Sequence, residues 1–584
     1  MKRIYSTAGW LVVAAALTIG MTACSGGEDT IMEEPQPTGL KTYTMTVNAT
    51  MDVDAATTRA LSLDGKTLAA TWTKGDKVAV LILTGDAGME HWELLGELTA
   101  ANVSVDGLSC TLTGDITEDH FVQAGRPTVG SYLRLIYPGT RATSSGYSIW
   151  YTGQDGTLGK IATDYDYCST SPQKSKAVTV TAVDGSHITT STATFTNNQA
   201  IVRFTLTDKD GNPIYPTSLT ISAKKKNGSE SLVTGEGLTG YSGTMGTGAL
   251  TINLNGTTNE VYAALRGVSG GDITLTAFTA NRVYSYTKTG VTFTDGKYYT
   301  IAVKNMNSTV TLDNLSDGNF TAENGDVLTG NLPSGTHLYI DNNATVTLRN
   351  VTINETSSPG INCIYNAHII LEGTNTITTY ADCPAIRAGS NSNCTLTISG
   401  SGTLTATGGK FGAGIGSGSS GSCGNIIISG GTIIATGGES GAGIGSGELG
   451  SCGKITISGG TVTASGGFNA AGIGSVHFHS CCGDISISGG TITATGGSFA
   501  AGIGSGDSGE CGAITIGSGI SSVTAIKGGG GLGYPIGKGS GTDSTCGTVT
   551  IDGTTSWSAG TATEHLNFTV STTNYTNDTW TLTH

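Results

Sequence analysis

Six cysteines recur in the second half of the chain at nearly one interval. Cys394, Cys423, Cys452, Cys482, Cys511 and Cys546 lie 29, 29, 30, 29 and 35 residues apart. None of the intervals is the Cys-x-x-Cys spacing with which a short loop chelates zinc. One cysteine per repeating unit predicts a stacked ladder of buried, reduced thiols. Disulfides along it are disfavoured, because in-register side chains point in parallel rather than toward each other. One segment departs from the repeat: Val476-His477-Phe478-His479-Ser480-Cys481-Cys482 replaces a Gly/Ser-rich loop and adds a residue. On an extended segment His477 and His479 would face one side, with Cys481 close by, a set suited to a metal ion. A decorated surface loop is the simpler reading, and no metal or cofactor is expected.

Two glycine-rich stretches imitate nucleotide-binding motifs. Gly412-Ala413-Gly414-Ile415-Gly416-Ser417-Gly418 has dinucleotide-like spacing, yet it repeats along the chain and no helix follows. A phosphate cradle needs a strand–turn–helix context. Gly537-Lys538-Gly539 likewise lacks the spacing and hydroxyl residue of a P-loop. Catalysis is also poorly provided for. Between residues 306 and 584 the basic residues are Arg349, Arg387, Lys410, Lys454, Lys527 and Lys538, and the acids are scattered without an Asp-Asp pair. Polysaccharide lyases and hydrolases need paired carboxylates or clustered Asp with Arg/Lys. The chain is expected not to be an enzyme; Arg387 is the one candidate whose loss would test that.

Binding is better supported. A variable pair follows each Gly-Gly: Lys410-Phe411, Glu439-Ser440, Phe468-Asn469 and Ser498-Phe499. Phe411, Phe468 and Phe499 at one edge could form a platform on which sugar rings stack. Equally, they could tuck under their loops and close a corner. The many Thr could suit ice or a flat crystalline ligand, although β-propensity accounts for them.

These residues sit on a repeat. Cys423-Gly424-Asn425-Ile426-Ile427-Ile428-Ser429-Gly430-Gly431-Thr432-Ile433 returns as Cys452-Gly453-Lys454-Ile455-Thr456-Ile457-Ser458-Gly459-Gly460-Thr461-Val462, and again from Cys482. A second marker, Ala-Gly-Ile-Gly-Ser, keeps the same period at Ile415, Ile444, Ile473 and Ile503. Short apolar runs at a fixed period predict a parallel β-helix, one repeat per coil. Weaker coils begin near Thr345 and His368. About eight coils at ~4.8 Å make a rod roughly 40 Å long. Glycine pairs such as Gly466-Gly467 are expected at tight turns with positive φ.

Residues 41–305 read as short alternating strands with Gly, Asn and Asp turns, such as 42–47, 77–82 and 200–206. They predict two β-sandwiches divided near the Ser/Thr-rich stretch at Ser169-Thr170-Ser171. The 584 residues carry 29 Lys+Arg against 44 Asp+Glu, a formal net charge of −15, and only 12% are charged. That excess of acid argues against nucleic acid, which needs clustered Lys/Arg.

The N-terminus resembles a bacterial lipoprotein leader. Lys2 and Arg3 precede an apolar run over residues 10–19, which ends at Met21-Thr22-Ala23-Cys24. Cleavage before Cys24 would leave its thiol lipidated, and the run is too short for a comfortable membrane span. The acidic residues that follow, Glu28-Asp29 and Glu33-Glu34, resemble a surface-export signal within a flexible tether. Asp29-Thr30-Ile31 and Asp543-Ser544-Thr545 resemble bacterial O-glycosylation acceptors.

Thr57-Thr58-Arg59-Ala60, Trp72-Thr73-Lys74-Gly75-Asp76-Lys77-Val78, 198–204 and 296–301 are similar, in that order, to the fimbrillin (Mfa-like) family of type V pilins. The resemblance covers residues 40–305. It implies two β-sandwiches behind a lipidated leader, other pilus subunits as partners, and cleavage after an Arg that corresponds to Arg59. A solvent-exposed loop Arg is the plain alternative. The long C-terminal domain departs from a plain pilin.

The fold class expected is all-β: two tandem β-sandwich domains followed by a parallel β-helix of about 29-residue coils. The segments are 1–23 lipoprotein signal peptide, 24–40 flexible acidic tether, 41–185 and 186–305 sandwiches, and 306–584 β-helix with a C-terminal cap. The function expected is adhesion from the outer membrane surface, as a fimbrial (tip) subunit or stand-alone adhesin with host or dietary glycans or mucin as partners. The rivals are a glycan-binding lipoprotein that builds no fibre and a β-helix lyase or hydrolase.

Overall fold

The computed structural model describes residues 41–51, 63–64, 67–68, 71–85, 90–117, 127–143, 146–225, 227–239, 242–316, 318–530, 533–551, 554–557, 573–576 and 579–583. Cys24, Arg59, the leader over 1–23 and the tether over 24–40 lie outside these residues. The described chain is almost entirely β, and no described helix is long and apolar enough to cross a membrane.

Alternation builds the first unit. In the strand Thr42–Met51, Tyr43, Met45, Val47, Ala49 and Met51 are buried and the residues between them are not. This is the period of two expected of a sheet with one face on a core. The strand runs antiparallel to Ser109–Thr117 over nine residue pairs. Its other edge pairs in parallel, first with His187–Thr190 and then with Ala193–Asn197. The sheet thereby closes on itself, which removes an edge that could recruit a foreign strand.

Two expectations about boundaries fail here. A cut between 185 and 186 would fall in the turn joining Val178–Asp184 to His187–Thr190, two paired strands of the first sheet. Nor is the Ser169 region a linker. Ser169 and Thr170 are buried, and Thr170 Oγ1 accepts a 3.0 Å hydrogen bond from Leu135 N. Such a polar stretch can be interior because its hydroxyls bond the backbone. Residues 146–167 also leave the first sheet. The strand Gly146–Trp150 pairs with Val233–Thr239. Tyr147, Ile149, Tyr151, Ile161 and Tyr167 join the core formed by residues from Ala200 to Met306. Gln154 Nε2 donates to Ala264 O at 2.8 Å, and its Oε1 accepts from Ala264 N at 2.7 Å, replacing a strand partner. The two units interlock, so no single cut separates them.

The second unit runs into the β-helix without a break. Val283–Phe293 pairs antiparallel with Asn307–Thr311, which pairs in parallel with Asp326–Asn331. An ion pair fastens this seam. Arg282 Nε lies 3.2 Å from Asp326 Oδ2, and Arg282 Nη2 donates to Thr321 O at 2.9 Å. Asp326, 1% exposed, also accepts from Glu323 N at 2.9 Å and from the Ser308 hydroxyl.

Nine parallel strands, from Gly318–Ala322 to Ile536–Gly537, lie in one sheet with one strand per coil, against about eight coils expected. In-register residues Thr309, Val327, Thr347 and Ile370 are 18, 20 and 23 residues apart, and the next step, to Ser399, is 29. The 29-residue coil therefore begins at Ala367–Glu372. Earlier coils lack the glycine-rich loops, which makes them faint in sequence.

Inside, identical residues stack. Ile415, Ile444, Ile473 and Ile503 are in register and fully buried, each burial worth about 1.5–3 kcal/mol. The following glycines are obligatory. Gly445 has φ 139°, and a Cβ there would sit 1.9 Å from Gly474 O. The Gly466-Gly467 pair is explained differently from expectation. Neither has positive φ; a Cβ on Gly467 would lie 1.9 Å from Gly438 O, so crowding by the coil before excludes a side chain. At the far end Thr579–Thr583 pairs antiparallel with Ile520–Ile526, and Trp580 and Leu582 join the core.

Removing the seam cation should leave Asp326 buried and unpaired. Arg282→Ala is expected to cost about 3 kcal/mol, read as a lower midpoint in denaturant unfolding followed by far-UV circular dichroism. Asp326→Asn, which keeps most hydrogen bonds, should cost less.

Candidate functional site

The loops that leave the rod fall into two neighbouring columns. One contains the variable pairs after Gly-Gly. The other follows each buried Ile-Gly-Ser and contains Glu448-Leu449, His477-Phe478 and Asp507-Ser508. Backbone hydrogen bonds knit the columns together: Glu448 N donates to Phe411 O (3.0 Å), Asp507 N to Asn469 O (3.3 Å) and Ser540 N to Phe499 O (2.9 Å). The edge is therefore a hydrogen-bonded backbone frame that displays differing side chains.

The three sequence-predicted phenylalanines separate. Phe468 and Phe499 meet edge to face, with centroids 5.7 Å apart and planes at 72°. Phe468 is 56% exposed, while Phe499 is half-buried. Phe411 belongs to an earlier coil, where Lys410 Nζ lies 4.8 Å from its ring centroid. Glu439, on the coil between, is 4.0 Å from the same Lys410. The structure thus joins two rings and places a charged pair between them and the third.

Phe478 and Leu449, 59% and 55% exposed, are apolar edge residues that sequence reasoning did not single out. Both have left-handed backbones, with φ of 51° and 53°, as do Ser420 and Ser508 at equivalent positions. Such a conformation costs a non-glycine residue roughly 1–2 kcal/mol. Both side chains are largely in solvent, with Phe478 touching the His477 ring at a centroid distance of 4.3 Å, so no hydrophobic core offsets that cost. The available signal was a bulky apolar residue where sibling loops have Ser.

The same turn overturns the shared-face reading of the histidines. Positive φ at Phe478 and His479 (51° and 59°) bends the segment, so His477 is buried while His479 is exposed. Cys481 lies on a separate strand, paired with Ser451 and Glu510. Among the described residues no group of three His, Cys, Asp or Glu is arranged to hold a metal. His477 instead faces Glu448, Nε2 to Oε1 at 3.6 Å. Burial holds its imidazole below the usual range, against the pull of Glu448 and Asp507. Glu448 Oε2, Asn469 Oδ1, Ser475 Oγ and His477 Nδ1 are buried and make no hydrogen bond within the protein.

Arg387 lies on Ile386–Ala388 with the uncharged Asn362 and Gly416 as register neighbours. Ser544 is unsuited to glycosylation: it is buried, accepts from Ser508 N at 2.8 Å and donates to Gly506 O at 3.2 Å. Of the six cysteines expected in one column, Cys423, Cys452, Cys482, Cys511 and Cys546 follow one another and are buried, whereas the Cys394 thiol bonds elsewhere.

A family model described as a β-helix repeat matches residues 396–419, 426–448, 455–475 and 485–507, the coils that carry these loops. No curated protein matches the chain. Among solved structures, a "putative cell adhesion protein" from Bacteroides uniformis is 17% identical, covering 47% of this chain and 97% of its own, with a TM-score of 0.23. A protein of the same description from Bacteroides ovatus is 14% identical, with 47% and 96% covered and a TM-score of 0.26. The tip fimbrial protein Mfa3 of Porphyromonas gingivalis is 11% identical, with 46% and 98% covered and a TM-score of 0.22. At such scores the likeness carries no functional argument.

Two outcomes are expected at this edge. Leu449→Gly and Phe478→Gly should leave the melting temperature unchanged or raise it, because glycine relieves the left-handed strain. His477 has a depressed folded pKa, so its contribution is complete above its unfolded pKa, near 6.5. That contribution is lost as pH falls from there through the folded value. The melting temperature should therefore drop between pH 7.5 and pH 5 by more in the natural chain than in His477→Asn.

Proposed function

We propose that this chain is a surface adhesin, held at the outer membrane by a lipid on Cys24. It acts as a fimbrial (tip) subunit or a stand-alone adhesin, and its β-helix presents a glycan-binding edge. The observation that carries the reading is the exposure of Phe468, Phe478 and Leu449 on hydrogen-bonded loops. Leu449 and Phe478 keep that exposure in spite of backbone strain. An aromatic face accepts the C–H side of a sugar ring, and nearby polar atoms fix its hydroxyls. Binding is non-covalent and needs no cofactor or catalytic step. The motif resemblance over residues 40–305 supports pilus subunits as further partners, with Arg59 as the processing position.

Residues 41–584 should be retained by mucin or polysaccharide arrays without release of sugar. Phe468→Ala and Phe478→Ala should each weaken retention about tenfold or more, with the melting temperature nearly unchanged. Released sugar would replace the adhesin with a β-helix enzyme, and Arg387→Ala would then be the first variant to make. Absence of both retention and release would remove the glycan edge and leave other subunits as partners. Loss of surface fibres on gene deletion would favour a fimbrial subunit over a stand-alone adhesin.

A further inference from the structure

Five thiols stand in single file along the rod. Cys452 is in register with Cys482, Cys482 with Cys511, and Cys511 with Cys546. Cys423 Sγ lies 2.7 Å from Cys452 Sγ. Cys394 does not take part: its thiol donates to Ile364 O and Asn391 Oδ1 at 3.5 and 3.7 Å. All five are buried, with Cys511 and Cys546 near the far end at 7% and 8% exposure.

We propose that this column is an oxidisable cross-link site, in which disulfides join neighbouring coils, two per molecule, and one column thiol is always left over. Parallel side chains argue against such bonds, but register fixes the backbone separation favourably. In-register Cα atoms of adjacent strands are ~4.8 Å apart, inside the range a disulfide spans. Cys423 and Cys452 already bring their sulfurs within 2.7 Å of each other.

The co-reactant is an exogenous low-molecular-weight disulfide. One column thiolate attacks it, expelling a small thiolate and forming a mixed disulfide. The neighbouring column thiol, deprotonated, attacks the column sulfur of that intermediate and expels the second small thiolate. Two column thiols are thus oxidised by two electrons in all, and the small disulfide is reduced to two thiols, which take up the two protons. Because five is odd, the remaining thiol lies against a disulfide and can exchange with it.

Single file makes the stoichiometry diagnostic. The reduced full chain is incubated with oxidised glutathione at pH 8, quenched with acid, denatured and alkylated. Peptide mapping by mass spectrometry then counts blocked column cysteines. The natural chain should lose four, with linked peptides only between adjacent column positions. Cys452→Ser isolates Cys423 and leaves Cys482, Cys511 and Cys546, so two should be lost. Cys482→Ser leaves two intact pairs, so four should be lost. Equal losses in the two variants would overturn the proposal. So would cross-links that skip a coil, persistent glutathione adducts, or no loss in the natural chain. Circular dichroism of each variant, and Cys→Ala versions at the same positions, separate misfolding from altered pairing. Oxidation should also raise the melting temperature of the natural chain, and dithiothreitol should reverse the rise.

Discussion

Everything in the C-terminal half depends on one distance, the separation of successive coils at ~4.8 Å set by backbone hydrogen bonds between parallel strands. At that spacing each side chain's nearest neighbour is its own equivalent one coil away. Ile on Ile stacks well, whereas like charges would repel. The same distance leaves no room for a Cβ at Gly445 or Gly467, where neighbouring carbonyl oxygens are 1.9 Å from the ideal position. It also brings one thiol against the next at Cys423 and Cys452.

A stack of coils is stable only if its ends are closed, since a bare coil presents unpaired backbone and an open core. Here the near end is not capped but continued. The second unit's sheet passes through Asn307–Thr311 into the first coil, and Arg282 is anchored on buried Asp326 across the seam. At the far end Thr579–Thr583 turns antiparallel onto Ile520–Ile526. The rod is thereby one sheet system with the unit that carries it.

Within this frame the loops are the part of each coil that can vary without breaking register. Their backbones bond to one another, so a substitution changes only what is displayed. Phe468 on Phe499 and Lys410 beside Phe411 are two different uses of equivalent loop positions, and Phe478 on its strained turn is a third use in the neighbouring column. The bent turn at Phe478 also separates buried His477 from exposed His479.

The residues alone determined the β-helix, its period of about 29 residues from Cys394 onward and the inward columns of Ile and, Cys394 apart, of Cys; strand register carried that period back to Ala367–Glu372. A stacked repeat writes its neighbour contacts as a period, and a period is visible in one dimension. The three shorter coils before it were fainter, because they lack the marker loops. Tertiary structure decided what periodicity cannot encode. The first sheet reaches Asn197, and residues 146–167 cross into the other unit's core, because strand pairing and core sharing join segments far apart in sequence. At the candidate edge, sequence gave three phenylalanines at one kind of position. Only the fold showed that Phe468 meets Phe499, that Phe411 is held apart with Lys410, and that Leu449 and Phe478 extend the apolar surface. Those outcomes turn on backbone dihedrals and lateral loop contacts, which residue types at a fixed spacing do not specify.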